Sequence, residues 1–303
     1  MSSLPAAPQT CAVCGGRLER VLLTIERPDR FERHAGTPEA GYRRQWVECD
    51  RCGAASNVMR PVDAARLAGI AGAYYAIDFP DTPMRRRFDQ VMALAPDKSD
   101  NAQRVARVRG YAERHLAGRS GSHRLLDIGA GLGVFLARFL ADAAPGQWQA
   151  VGIEPDPLAA AHLQALDRFP VVAQPFPCPL PHPSYSLCTL NKVLEHFADP
   201  LGLLRGLGGL LAPERGLIYV EVPDKLTIDY RPPEDNILGA LHCHLYSPAS
   251  LAMLFERAGF AALGIERCFE PSGKITVFGF AVPQTAVPAL AHSLQEGAIL
   301  QRS

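Results

Sequence analysis

The stretch Leu125-Leu126-Asp127-Ile128-Gly129-Ala130-Gly131-Leu132-Gly133 decides the fold of this chain. Its apolar first half is typical of a buried parallel strand, and the residues from Val134 to Leu140 resume with helical spacing directly after the glycines. Glycine at three alternate positions lets the backbone turn tightly and lets a ligand lie against it, because no Cβ stands in the way. The stretch therefore predicts a strand, a glycine loop and a helix, with a ligand cradle where the strand ends.

A second apolar strand follows from Trp148 to Ile153, and it ends in Glu154. In a doubly wound fold, an acid at this place reaches the ribose hydroxyls of a nucleotide. Glycine-rich turns also serve plain strand-to-helix connections, so it is the acid after the next strand that indicates a cofactor site.

Three features together resemble the class I S-adenosylmethionine (AdoMet)-dependent methyltransferases: Asp127 at the head of the loop, the spacing Gly-x-Gly-x-Gly, and Glu154. The alternative is a nicotinamide dinucleotide enzyme, which has the spacing Gly-x-Gly-x-x-Gly and sets a pyrophosphate on the helix N-terminus. The resemblance implies an α/β, Rossmann-like seven-stranded methyltransferase sheet with an antiparallel last strand, and AdoMet as the cofactor. The residues that it assigns to AdoMet binding are Asp127, Gly129, Ala130, Gly131, Gly133, Glu154, Pro155, Gln174, Phe176 and Asn191.

Later segments predict the remaining elements of that sheet. They are a strand Tyr185–Leu190, a helix 199–211, a strand Gly216–Pro223, a helix from Leu251 to Ala258 that Ser247 caps and Gly259 ends, and strands at about 261–269 and 274–282. The proline-rich loop 175–183 would cross the adenine pocket, and Gln174 stands near the place where the family often has an acid for the adenine amino group.

Four cysteines mark the amino-terminal segment. Cys11 and Cys14 form one Cys-x-x-Cys pair, Cys49 and Cys52 form another, and each pair is followed by glycine. Each pair puts two thiolates on one side of a tight turn, and four thiolates make a closed tetrahedral shell for a structural Zn²⁺. Strands at 21–25 and 44–47 are expected to pair as the hairpin of a small N-terminal zinc ribbon. Unrelated thiols or disulfides are the alternative.

The chain divides into four predicted parts: the zinc ribbon (1–61), a helical connector or lid (62–118), the methyltransferase domain (119–283) and a carboxyl-terminal tail (284–303), with a short helix possible near 290–294. In related enzymes the connector covers the cofactor and supplies a tyrosine to the substrate site. The resemblance gives that role to Tyr75, although Tyr74 and Tyr75 can equally pack beneath the connector.

Transfer from an activated sulfonium methyl group requires an aligned acceptor and, for an oxygen or carbon acceptor, a base. His196 is predicted to be that base, because it follows the fourth strand at the edge where open α/β sheets bind ligands. Glu195 or a backbone carbonyl would set its tautomer. His242 and His244 are further candidates, since their loop resembles one that enters the same cleft in the family.

Two sub-families share parts of this pattern. Nucleotide-sugar C-methyltransferases combine a ribbon-type cysteine domain with a Glu-His pair that Glu195-His196 matches, but they carry a further carboxyl-terminal domain. Ubiquinone-pathway O-methyltransferases hold a divalent metal with Glu-x-x-Glu-His, and here Lys192 stands where the first Glu belongs. No catalytic metal is therefore expected.

Composition limits the partners. The 31 basic residues balance the 31 acidic ones, so no global field attracts nucleic acid or anionic lipid. Arginines at 85–87 and at 104, 107 and 109 are expected to form a solvated helix face. No apolar run approaches the roughly 20 residues of a membrane span. Without a signal peptide, the protein is expected to be soluble and cytoplasmic.

The sequence thus predicts an AdoMet-dependent methyltransferase that acts on a hydroxyl of a sugar, glycan or other polar secondary metabolite. The alternatives are a nucleotide-sugar C-methyltransferase, an RNA base methyltransferase that grips RNA with the ribbon, and a non-catalytic scaffold. The intact glycine loop counts against the scaffold, and the neutral charge against RNA. The oligomeric state and the acceptor stay open.

Overall fold

The computed structural model describes residues 10–70, 72–118, 121–213 and 215–288. Its strands are β1 (Leu18–Ile25), β2 (Arg44–Cys49), β3 (Ala55–Val58), β4 (His123–Ile128), β5 (Trp148–Ile153), β6 (Val171–Val172), β7 (Leu187–Asn191), β8 (Leu217–Pro223), β9 (His244–Leu245), β10 (Phe260–Phe269) and β11 (Ile275–Pro283). Its helices are α1 (Arg30–His34), α2 (Pro61–Ala68), α3 (Tyr74–Asp78), α4 (Met84–Met92), α5 (Asp100–His115), α6 (Val134–Ala141), α7 (Pro157–Leu166), α8 (Pro200–Gly208), α9 (Thr227–Tyr230) and α10 (Pro248–Arg257). Short 3-10 turns lie at Pro96–Lys98, Leu194–His196, Asn236–Leu238 and Gln284–Ala286.

A seven-stranded sheet forms the centre of the molecule, in the order β10-β11-β8-β7-β4-β5-β6. Strands β4 to β8 pair in parallel, whereas β11 is antiparallel to both β8 and β10. The predicted Rossmann-like sheet with an antiparallel last strand is confirmed. The strand order reverses between β4 and β7, which is where such sheets open a crevice for ligands.

Both faces of this sheet are covered, as the apolar runs predict for parallel strands. On one face, α5 and α6 pack with Leu125 of β4 and Leu217 of β8. On the other face, α8 and α10 pack with Leu126 of β4 and Ile218 of β8. Consecutive residues of a strand point to opposite faces, so both neighbours in each pair are buried.

A four-stranded sheet of order β1-β2-β3-β9 carries the cysteine pairs. The predicted hairpin is confirmed as β1 and β2, which pair antiparallel with Leu23 opposite Trp46. Strand β9 comes from residues far along the chain and pairs with β3. The four cysteines belong to the same apolar cluster as Leu251 and Phe255 of α10, so the small sheet rests directly on the helices that cover the large sheet.

Element boundaries differ from expectation at a few points. The fourth strand of the prediction begins at Leu187, because Tyr185 makes only an isolated bridge to Leu211. Helix α8 ends at Gly208 rather than at 211. The cap at Ser247, with Gly259 at a φ of +86° past the end of α10, is confirmed. The helix expected near 290–294 lies outside the described residues.

The predicted solvated arginine face is wrong at Arg104 and Arg107, whereas Arg85 and Arg86 are exposed as expected. Arg104 is only 6% exposed and contacts Glu221 and Glu270 inside the protein. Arg107 bonds the same Glu221 at 2.7 Å and Tyr219 at 3.0 Å. Buried acids on neighbouring strands pair with these cations, and a single-sequence charge pattern does not show such partners. Among the described residues, no helix is long and apolar enough to cross a membrane.

Candidate functional site

The glycine loop after β4 holds three left-handed residues. Gly129 has a φ of +70°, Gly131 of +57° and Gly133 of +76°. A Cβ on Gly129 would lie 2.5 Å from Val193, and one on Gly131 would lie 2.6 Å from the Tyr75 hydroxyl oxygen. Both backbone conformation and space therefore require glycine at these two places.

A cleft of about 610 Å³ opens over this loop, at the carboxyl ends of β4, β5 and β7. We call it the donor cleft. The structure brings ten predicted residues to its wall: Asp127, Gly129, Ala130, Gly131, Glu154, Pro155, Phe176, Asn191, Tyr75 and His196.

Two predicted cofactor residues lie elsewhere. Gly133 is the N-cap of α6, and a Cβ there would meet Leu163 at 2.5 Å, so this glycine serves the packing of α6 on α7. Gln174 is exposed and does not line the cleft, whereas Pro175 and Phe176 do. The chain therefore first reaches the cleft one residue after Gln174.

The acids of the donor cleft are anchored by hydrogen bonds. Glu154 accepts from the Gly131 amide at 2.7 Å and from the Asp156 amide at 2.9 Å, and burial raises the pKa of its carboxyl. Asp127 accepts from the Thr189 hydroxyl at 2.6 Å and from the Asn191 amide nitrogen at 2.8 Å. Burial raises the pKa of Asp127 to about 7, although both hydrogen bonds favour its charged form.

Sequence reasoning missed Arg104 as a wall residue of this cleft. Its Nη2 donates to Glu221 and, at 2.9 Å, to Glu270, while its buried Nε has no hydrogen-bond partner. The signal was available in the sequence. Arg104 lies one helical turn before Val108, on the same apolar face of α5.

A second cavity of about 740 Å³ adjoins the donor cleft, and we call it the acceptor cavity. Its walls are the end of β1 through α1, the Glu195-His196 turn, and the segment 233–242. The two spaces share five wall residues: Phe31, Tyr74, Lys192, His196 and Leu241. A molecule bound in one space can therefore contact a molecule bound in the other beside His196.

Two histidines face each other in the acceptor cavity, with ring centroids 4.6 Å apart. The His196 Nδ1 lies 3.0 Å from the Leu241 carbonyl oxygen, and the His242 Nδ1 lies 2.7 Å from that of Ile237. A carbonyl oxygen can only accept, so each Nδ1 carries the proton and each Nε2 keeps a lone pair.

The surrounding protein keeps both rings neutral. His196 reaches solvent through the cavities, but the protein packed around it still lowers the pKa of its imidazole. For His242, burial and the neighbouring His196 lower the pKa to about 3. Both imidazoles are thus available as proton acceptors near pH 7.

Glu195 completes this group. Its Oε2 is buried without a hydrogen-bond partner, and burial raises the pKa of its carboxyl to about 8. Possible ligand atoms of Glu195, His196 and His242 all lie within 4.8 Å of one another, so the three side chains can reach one metal ion. The charge of Lys192 already lowers the pKa of Glu195 and His242, and it would oppose a second cation there.

His244 lies outside both cavities, which corrects the expectation that it enters the cleft. It belongs to β9, where its Nδ1 lies 3.2 Å from the Ser56 hydroxyl and burial lowers its pKa to about 4. Because β9 pairs with β3, the His244 side chain points into the protein interior.

The four amino-terminal cysteines converge as predicted. All are buried and free, with Sγ atoms 3.8 Å apart in Cys11 and Cys52 and 3.4 Å apart in Cys14 and Cys49. Four sulfurs at 2.3 Å from one zinc ion would be separated by about 3.8 Å. The Gly16 and Arg51 amides donate to two of the sulfurs. The arrangement is compatible with a tetrahedral metal ion.

Comparison with known proteins agrees with this geometry. The methyltransferase domain family matches residues 84–264, more than half of the chain. The chain belongs to that family. A search of the curated proteins finds no match.

Solved structures show the same fold. One is the plantazolicin methyltransferase BpumL in complex with SAH, at 14% identity and a TM-score of 0.50, covering 73% of this chain and 98% of that one. Another is the 1,6-didemethyltoxoflavin-N1-methyltransferase of Burkholderia thailandensis, at 18% identity and a TM-score of 0.50, covering 80% of this chain and 95% of that one. The chain therefore joins a methyltransferase-family sequence to the fold of these two enzymes.

Proposed function

We propose that this methyltransferase transfers the methyl group of AdoMet to a hydroxyl oxygen of a polar small molecule, such as a sugar, glycan or secondary metabolite. The observation that carries the proposal is the placement of His196. It lines both the donor cleft and the acceptor cavity, and its Nε2 keeps a free lone pair.

AdoMet supplies an activated sulfonium methyl group when it is bound. On the protein side, Glu154 offers a carboxylate to the ribose hydroxyls. Arg104 Nε is a buried donor without a partner, and Asn191 Oδ1 is a buried acceptor without one, so they can satisfy the carboxylate and the amino group of the donor. These unpaired atoms at the wall of one cleft fit a zwitterionic ligand.

On the acceptor side, His196 takes the hydroxyl proton at Nε2. The Leu241 carbonyl holds the ring in the required tautomer. Because the neighbouring His242 is neutral, it does not repel the positive charge that His196 gains. The cavity wall aligns the acceptor oxygen with the methyl group, which is the main contribution that a protein makes to such a transfer.

Methylation of a carbon atom in a nucleotide-linked sugar is the second candidate. Glu195 lies next to the base with a carboxyl pKa raised to about 8, so it is a proton donor at neutral pH and can hydrogen-bond a sugar carbonyl. Such a contact would favour proton removal from the adjacent carbon.

The four cysteines are proposed to hold one structural Zn²⁺ per chain. Their thiols fill all four positions of a tetrahedral ion, so this metal would stabilise the hairpin rather than take part in methyl transfer.

The direct experiment uses AdoMet with a ¹³C-labelled methyl group and a panel of hydroxylated acceptors, including free and nucleotide-linked sugars. An O-methyl carbon and a C-methyl carbon have separate NMR shifts, so the product identifies the atom that is methylated. Transfer only to nitrogen, or only to RNA, would contradict the proposal. The His196→Asn variant is the matched control for background transfer.

A further inference from the structure

The segment 236–245, which carries His242, is held mainly by the small sheet. The Asn57 amide nitrogen Nδ2 donates to the His242 carbonyl at 2.8 Å, and its backbone amide donates to the Cys243 carbonyl at 2.9 Å. Arg44 Nη1 donates to the Leu238 carbonyl at 2.7 Å. Strands β2 and β3 therefore both donate hydrogen bonds to the backbone of this segment.

The same segment orients both histidines of the acceptor cavity. The carbonyls that receive the Nδ1 protons belong to Ile237, for His242, and to Leu241, for His196. Because the imidazoles bond to backbone atoms of the segment, a shift of the segment moves both rings.

The cysteine pair at Cys49 and Cys52 closes the turn between β2 and β3. Cys49 is the last residue of β2, and its carbonyl accepts from the Gly53 amide at 3.1 Å just before β3 begins. Strands β2 and β3, which both bond to the segment, are thus joined by the turn that carries Cys49 and Cys52. A metal ion bound by the cysteines would fix that turn.

We propose that Asn57 positions His196 and His242. The hairpin of β2 and β3, which carries Cys49 and Cys52 at its turn, in this way supports the acceptor site. The inference rests on the proposed function of the two histidines. The segment reaches the donor cleft only through Leu241, and the acids of that cleft belong to other elements, since Asp127 is in β4 and Glu154 follows β5 of the large sheet. Loosening the hairpin should therefore disturb the acceptor side and spare the donor side.

The test compares Asn57→Ala with Ser56→Ala. Ser56 is the neighbouring residue on β3 and also makes one side-chain bond to a histidine, but that histidine is His244, outside both cavities. Side-chain NMR of ¹³C-labelled histidine gives the pKa of each ring. Titration with SAH gives donor affinity, and neither measurement needs an acceptor.

In Asn57→Ala we expect the ring signals and titration curves of both His242 and His196 to shift, because the segment that bonds both imidazoles loses its bond to Asn57. The Kd for SAH should stay within about twofold, because the acids and glycines of the donor cleft lie on other elements. With an acceptor in hand, kcat should fall about 10- to 100-fold. Ser56→Ala should change none of these quantities.

Unchanged histidine titrations in Asn57→Ala would overturn the inference. Parallel loss of SAH binding would also overturn it, because the hairpin would then support the whole fold. If Asn57→Ala does not fold, Asn57→Leu replaces it, since that change keeps a branched side chain of similar size, removes both Nδ2 donor hydrogens and adds no charge.

The metal provides an independent arm. Release of zinc with a chelator should shift the two histidine signals as Asn57→Ala does, while SAH still binds. Loss of SAH binding in step with zinc release would count against the inference. The base role of His196 can be refuted separately. That would be the result if His196→Asn keeps its kcat while the histidine titrations change in Asn57→Ala.

Discussion

Glu154 has two tasks at the residue scale. Its one carboxylate accepts from the glycine loop through the Gly131 amide and from the start of the next connection through the Asp156 amide. The acid that faces the donor cleft therefore also fixes the loop on which the donor is proposed to lie. Removal of this side chain acts on binding directly and through the loop.

Glu154→Ala should weaken donor binding by about 1.5–3 kcal/mol, because the ribose hydroxyls lose a charged acceptor. This corresponds to a Kd for SAH that is roughly 10- to 150-fold higher, measured by calorimetric titration. Glu234→Ala is the matched control, since Glu234 is an exposed acid of the acceptor cavity. Equal affinities in the two variants would contradict the donor assignment.

His196 acts on the acceptor alone in the proposed mechanism. His196→Asn should lower kcat by roughly 10²- to 10⁴-fold, because a hydroxyl is a poor nucleophile while it keeps its proton. Affinity for SAH should be retained. His182→Asn, at a histidine that lines neither cavity, should keep wild-type turnover. A kcat within a few-fold of wild type in His196→Asn would move the base role to His242.

The pH dependence follows from the same residue. The surrounding protein lowers the pKa of His196, so the ring stays neutral as the pH falls through the ordinary histidine value of about 6.5. The acid limb of kcat, measured at saturating donor, should therefore lie below pH 6.5. A limb above that value would be inconsistent with His196 as the base.

At the scale of elements, the glycine loop combines two kinds of glycine that look alike in the sequence. Gly131 lies against the Tyr75 hydroxyl in the donor cleft, whereas Gly133 is the N-cap of α6 and packs on Leu163. The spacing Gly-x-Gly-x-Gly therefore serves the ligand at one position and the packing of helices at another.

Alanine at these two positions should separate binding from stability. Gly131→Ala displaces Tyr75 and should weaken SAH binding by more than about tenfold, because the cleft narrows. Gly133→Ala should mainly lower the free energy of unfolding, by about 1–3 kcal/mol, through left-handed strain and the clash with Leu163. Urea unfolding and SAH titration of both variants decide the matter, and a reversed pattern would refute the distinction.

At the scale of the whole molecule, a buried ionic network ties α5 to the far half of the sheet. Arg104 reaches Glu221 on β8 and Glu270 just after β10, and Lys192 after β7 contacts both acids. Burial alone would raise the pKa of Glu221, but the charges of Arg104, Lys192 and Arg107 hold it well below its ordinary value. Glu221 is thus no candidate base.

Arg104→Met should lower the free energy of unfolding by about 3–5 kcal/mol, because it leaves buried carboxylates with fewer partners. It should also weaken SAH binding, since Arg104 lines the donor cleft. Arg109→Met on the same helix is the control, because its contacts to Glu113 and Asp142 are long and partly exposed. Similar denaturation midpoints for the two variants would show that the network contributes little.

The sequence by itself determined the large sheet and most of the donor cleft. Strand, glycine loop and terminal acid are neighbours in the chain, and the backbone conformation that each glycine permits is a local property. It also determined the cysteine pairs, because each Cys-x-x-Cys is a local turn.

Only the tertiary structure decided the acceptor side. His196 and His242 meet through backbone bonds of the segment 236–245, and Asn57 holds that segment from 185 positions away. Hydrogen bonds between such distant residues depend on how two sheets pack, and no local pattern records that packing.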